Sequence, residues 1–232
     1  MSRLLRLPPI CTALAVIFCA ASAHADSKIG GVSQRDYNGA TGAPAGGSAS
    51  ALYFANDVVS GETVTTPSAG STELTFADST TLRVGANSTV VLDNFVYDSS
   101  SRTGDASINF TKGIFRFVTG DIKNKSNVKL TTPTTSLTIR GTDFKVVVGD
   151  GGTIVQVIEG AVEIKPCGGT AETRLVTPGE AAQVSPSCSV STLTLSSVPT
   201  DPATDGGGEP GGGNQPGHEP HHEPNPNRGN GD

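Results

Sequence analysis

The segment "TTPTTSLTIRGTDFKVVV" (residues 131–148) decides how the chain folds. Leu137 and Ile139 are odd-numbered apolar residues, whereas Phe144, Val146 and Val148 are even-numbered. Side chains alternate between faces along a strand, so one straight strand cannot bury both sets. A one-residue slip must fall between them, and Gly141 tolerates the backbone it needs. Arg140-Gly141-Thr142 is therefore expected to be a bulge or a sharp corner. The next run repeats the pattern: Val155 and Val157 are odd, Val162 and Ile164 are even, and Glu159-Gly160 separates them. A charged residue directly precedes a glycine at each slip. Folding the two runs about "GDGG" (149–152) as a hairpin brings Arg140 toward Glu159, with Asp143 as an alternative partner. An Arg–carboxylate pair there could be bidentate and hold two bent strands in register.

The surrounding chain reads the same way. Leu74 and Phe76 alternate before "ADST", Leu82 and Val84 follow it, and "GANS" precedes Val90 and Leu92. Ile108 and Phe110 lead into Thr111-Lys112-Gly113, expected to be a turn, with Phe115 and Phe117 beyond it. Such period-2 runs, broken by Gly, Asp and Asn, predict roughly ten short strands in one all-β domain over 51–195. The expected architecture is a jelly-roll-like β-sandwich, with a β-solenoid-like stack as the alternative.

The flanks read differently. Arg3 and Arg6, the apolar "ICTALAVIFCA" and Ala23-His24-Ala25 have the order of a secretory signal peptide over 1–25. The apolar run is shorter than the ~20 residues that span a bilayer, so no stable membrane insertion is expected. Residues 26–50 are rich in Gly, Ala and Ser and are expected to be a flexible lead-in. Residues 196–232 end in a Gly/Pro/His-rich stretch with no apolar periodicity, expected to be a disordered tail. His218, His221 and His222 interleave there with Glu219 and Glu223, a weak candidate for metal binding. No metal site or cofactor is otherwise expected.

Beyond the leader only Cys167 and Cys188 remain, and in an oxidising compartment they are expected to form one structural disulfide. Removing residues 1–25 leaves 14 basic and 22 acidic residues, net −8, which argues against nucleic acid as a partner. No His lies between 26 and 217, so no His-dependent triad can form in the domain. Asp78, Asp93, Asp98, Asp105, Asp121 and Asp143 could in principle converge, but Asp beside Ser, Asn or Gly is usually turn chemistry. Arg140 could serve as an anion hook; without a second cation on its face, a structural ion pair is the better reading. No enzymatic activity is expected.

The motif "TTPTTSLTIRGTDFKVVV … TIVQVIEGAVEI" resembles the FecR domain family in its Thr-Pro, its Arg-Gly-Thr-Asp-Phe and its Val-x-Glu-Gly-x-Val. "LTFADSTTLRVGANSTVVL" (74–92) is similar to that family's earlier hairpin, with Ser79 or Thr80 where the turn usually carries Gly. "KGIFRFVTG" (112–120) and "VTPGEAAQV" (176–184) extend the likeness, which covers about residues 55–186. The resemblance implies a non-enzymatic, jelly-roll-like domain outside the cytoplasm, with Arg140, Gly141, Thr142, Asp143, Glu159 and Gly160 as its signature. It is closest in kind to stand-alone periplasmic or secreted members, without the anti-sigma and membrane segments of the iron-dicitrate regulators. A binding or interaction module in envelope sensing or signalling is the expected function, its partner an unidentified envelope protein or glycan. A structural envelope or surface protein with spacer tails is the alternative.

Overall fold

The computed structural model describes residues 27–35, 39–169 and 172–205. The expected leader, most of the expected tail and the three clustered histidines lie outside the described residues. Two layers of strands take up the chain in turn. β1 (Lys28–Arg35) begins the first layer, and the hairpin of β2 (Ala40–Ala43) and β3 (Ser50–Leu52) begins the second. β4 (Asp57–Val59) returns to the first, β5 (Glu62–Thr65) to the second, and the hairpin of β6 (Thr72–Phe76) and β7 (Thr81–Val84) to the first. β8 (Thr89–Asp98) lies in the second layer beside the start of β9 (Thr103–Val118), a 16-residue strand that ends in the first. Hairpins then alternate. β10 (Val128–Thr131) and β11 (Thr135–Ile139) join the second layer, and β12 (Asp143–Gly149) and β13 (Gly152–Glu159) the first. β14 (Val162–Pro166) and β15 (Arg174–Val176) join the second, and β16 (Ala181–Val184) and β17 (Val190–Leu193) the first.

The all-β expectation is met. Two faces enclose one apolar core, as in a sandwich, but each new hairpin is added beside the last in its layer, as in a stack. Among the described residues, all strand pairings are antiparallel except that of β9 with β10. Phe76 of the first layer stacks on Phe95 of the second at 4.8 Å, and Phe110 meets Phe115 at the same separation.

Three expectations need correction. Residues 28–35 and 40–43 are strands, not part of a flexible lead-in. Ile29 and Val32 are buried, but Gly30 and Gly31 between them remove the alternation that would have marked β1. At the far end, Val198 and Thr204 are buried and a short helix (Pro202–Asp205) follows, so ordered structure continues past residue 195. Thr111-Lys112-Gly113 is not a hairpin turn but the point where β9 changes layer. Ile108 and Phe110 are even and Phe115 and Phe117 odd, and all four are buried. It is the same phase slip as at Gly141, within a continuous strand.

Candidate functional site

The two parity slips, at Gly141 and Gly160, are corners between layers. Ile139 ends β11 in the second layer, and Asp143 begins β12 in the first. Gly141 turns between them with φ +67°, a left-handed conformation that disfavours a side chain. Gly160, at φ +77°, carries the chain back from β13 to β14. The corners are fastened to each other, because the Arg140 N–H donates to the Ala161 carbonyl at 3.1 Å.

Thr142, which is buried, extends this contact to the end of β9. Its N–H donates to Thr119 Oγ1 at 2.9 Å, and Thr119 returns bonds from N–H and hydroxyl to the Thr142 carbonyl at 3.0 and 2.9 Å. Next along the same edge, the Gly120 N–H donates to Thr80 Oγ1 at 2.9 Å. Thr80 in turn donates from N–H and hydroxyl to the buried Asp78 carboxylate at 2.9 and 2.8 Å. The edge is thus a column of polar turns joined through Asp78–Thr80, Thr119-Gly120, Gly141-Thr142 and Gly160. Ser79 sits in this column with φ +67°, at the turn where the FecR pattern usually has Gly.

The expected Arg140–Glu159 clamp does not form. Arg140 Nη2 instead meets Glu163 Oε2 at 3.0 Å, across the pairing of β11 with β14, and its side chain is 64% exposed. The corner turns Arg140 onto the second layer, while Glu159 is still in the first. Glu159 faces Asp143 in register, and the extra residue on that strand is Ile158. Asp143 is taken by Arg116 in a two-pronged pair, Nε to Oδ1 at 2.9 Å and Nη2 to Oδ2 at 2.7 Å. That carboxylate raises the Arg116 pKa.

Arg116 belongs to a charged row absent from the sequence expectations. On the outward side of the first layer, Glu73 of β6 lies opposite Arg83 of β7, Arg83 opposite Arg116 of β9, and Arg116 opposite Lys145 of β12. Arg83 Nε pairs with Glu73 Oε2 at 2.5 Å, and Lys145 pairs with Asp205. Each cation is flanked by buried apolar neighbours: Leu82 and Val84, Phe115 and Phe117, Phe144 and Val146. A cation at the outward position of three such runs is the signal by which the row could have been found.

Cys167 and Cys188 form a disulfide with Cα atoms 5.2 Å apart. It ties the β14–β15 connection of the second layer to the β16–β17 connection of the first. Among the described residues, no group of three His, Cys, Asp or Glu is placed to hold a metal, and no helix is long and apolar enough to cross a membrane.

Residues 62–163 match the family model described as FecR protein. The FecR resemblance thus holds over this segment. The segment runs from β5 to the start of β14 and contains both corners, so the Arg-Gly-Thr and Glu-Gly signature of the FecR domain marks layer crossings. Two crystal structures of a "putative anti-sigma factor" from Parabacteroides distasonis, at 2.50 and 1.65 Å resolution, are similar to the chain at 16% and 14% identity. Their TM-scores are 0.46 and 0.44, and each comparison covers 57% of this chain and 59% of that one. The chain thus spans under two thirds of those proteins. No curated protein matches the chain.

Proposed function

We propose that the protein is a non-enzymatic interaction module that works outside the cytoplasm, in envelope sensing or signalling. The observation that carries this reading is the use to which the FecR signature is put. Gly141, Thr142 and Gly160 build the corners, Asp143 holds Arg116, and Asp78 is enclosed by Thr80. These residues make a rigid scaffold, so recognition falls to its outward faces. The disulfide supports an oxidising compartment, and the leader-like residues 1–25 support export.

The test is capture from a cell-envelope extract by the immobilised chain without residues 1–25. One saturable partner, competed by free protein at micromolar concentration, is expected. Absence of any saturable partner overturns the module reading.

The open ends of the stack favour a second reading, a structural protein assembled end to end. Among the described residues β15 pairs only with β14, and β17 only with β16, which leaves each a free edge. Sedimentation distinguishes the two: growth of filaments with concentration supports assembly, and a concentration-independent species supports the module.

A further inference from the structure

The segment Val198–Asp205 is a strap laid over the charged row. Its attachments come from the row and the adjoining β7–β8 turn. Asp201 Oδ2 accepts the Ala86 N–H at 2.9 Å, Arg116 Nη1 donates to the Thr204 carbonyl at 3.4 Å, and Lys145 pairs with Asp205. The strap is one helical turn closed on itself, with the Asp201 N–H donating to Asp205 Oδ2 at 2.8 Å. That turn sets its two carboxylates on one side.

Three features make the underlying surface a seat. First, Glu73 and Asp143, which pair with Arg83 and Arg116, belong to the sheet, whereas the carboxylate on Lys145 comes from the strap. Lys145 is only 4% exposed. Displacing the strap takes away that carboxylate and leaves the ammonium open to pairing with another anion. Second, Gly85 clears the space: a Cβ there would lie 2.4 Å from Asp201 Oδ2. Third, the strap makes these contacts through two carboxylates and one backbone carbonyl, chemistry that any acidic peptide of the same spacing can supply.

We propose that this row is a docking site for an acidic peptide segment of a partner protein, with carboxylates four residues apart, and that the strap occupies it until displaced. The inference rests on the interaction-module reading and names the class of partner. The strap competes at the effective concentration of a tethered ligand, so an outside segment must be local, multivalent or better matched to succeed.

The experiment uses the full chain and a fluorescent peptide of the strap's own sequence, "VPTDPATDG" (198–206). Asp201→Ala/Asp205→Ala loosens the strap and leaves the seat intact; it is expected to bind the peptide at least about tenfold more tightly than the unaltered chain. Adding Lys145→Met, or Gly85→Ala, to that variant is expected to abolish the gain, the first by removing the cation and the second by filling the seat. Binding by the double variant no tighter than by the unaltered chain overturns the proposal, as does a gain that survives both additions.

Should the double variant not fold, the unaltered chain suffices. Excess unlabelled peptide is expected to speed amide exchange at Thr204 and Asp205, whose N–H groups bond to the Asp201 carbonyl. Unchanged exchange at saturating peptide overturns the proposal. Peptide binding that fails while an envelope partner is still captured sinks the row and spares the module. Peptide binding without any captured partner supports the row and sinks the module.

Discussion

A Cβ on Gly160 would sit 2.0 Å from the carbonyl oxygen of Gly141, so the two layer-crossing corners touch backbone to backbone. At Gly141 itself an added Cβ would meet nothing within 4 Å. Both positions are left-handed, but only one is also enclosed. Gly141→Ala is expected to lower stability by about 1–2 kcal/mol, the conformational term alone. Gly160→Ala adds overpacking against a rigid corner and should cost about 2–5 kcal/mol. Urea unfolding of the two variants measures the difference, and equal losses would contradict the contact.

Arg116 is predicted to matter more to the fold than Arg140, although Arg140 belongs to the FecR signature. The Arg116–Asp143 side chains are 17% and 15% exposed, against 64% and 36% for Arg140–Glu163. A double-mutant cycle through Arg116→Met and Asp143→Asn should give a coupling of about 1–3 kcal/mol. The Arg140–Glu163 cycle should give no more than about 1 kcal/mol. A cycle through Arg140 and Glu159 should show none.

Ser79 holds a left-handed conformation that glycine takes without strain. Ser79→Gly is therefore expected to stabilise the chain by about 1 kcal/mol. A rise in the thermal midpoint checks this, and a fall would place the Ser79 side chain in a role its turn does not reveal.

The pH dependence of the β8–β9 turn follows from Asp98. Hydrogen bonds from Ser100 and Ser101 lower its pKa from 3.8 to about 2. A depressed folded-state pKa contributes stability that is present above the ordinary value and lost as pH falls through the folded one. The contribution should thus persist at pH 5 and fade between the two pKa values. A carboxyl-carbon NMR titration is expected to give a midpoint near the lower value, and one near the ordinary value contradicts the turn geometry.

Cys167→Ser/Cys188→Ser removes the staple between the layers at the open end of the stack. A loss of about 3 kcal/mol is expected from loop-closure entropy. Hydrogen exchange should rise mainly in β14–β17, since β9 still joins the layers farther in.

Much of the fold is legible in the chain, and for a definite reason. Where both halves of a run bury large side chains, as at Leu137/Ile139 and Phe144/Val146, a change of parity has to become a change of direction. The course of the chain beyond a corner is not set locally, so the same parity at Phe110/Phe115 is compatible with a turn or with a strand that changes layer. β1 escapes notice because Gly30 and Gly31 interrupt its pattern. The Arg140 partner is not legible because parity locates a corner without saying to which neighbour the side chain is delivered. The charged row depends on β7, β9 and β12 lying side by side, and the strap on a contact between residues 86 and 201, separations that no periodicity encodes.

β9 has a consequence for how the chain can form at all. It is the shared partner of β7, β8, β10 and β12, and it is placed in both layers. Until residues 103–118 are available, β7 and β8 each end in an unsatisfied edge, one in each layer. A chain emerging from its N-terminus therefore carries two partly built layers, each with an open edge, until β9 follows. Nascent chains that end before β9 are expected to be the most vulnerable to pairing with one another.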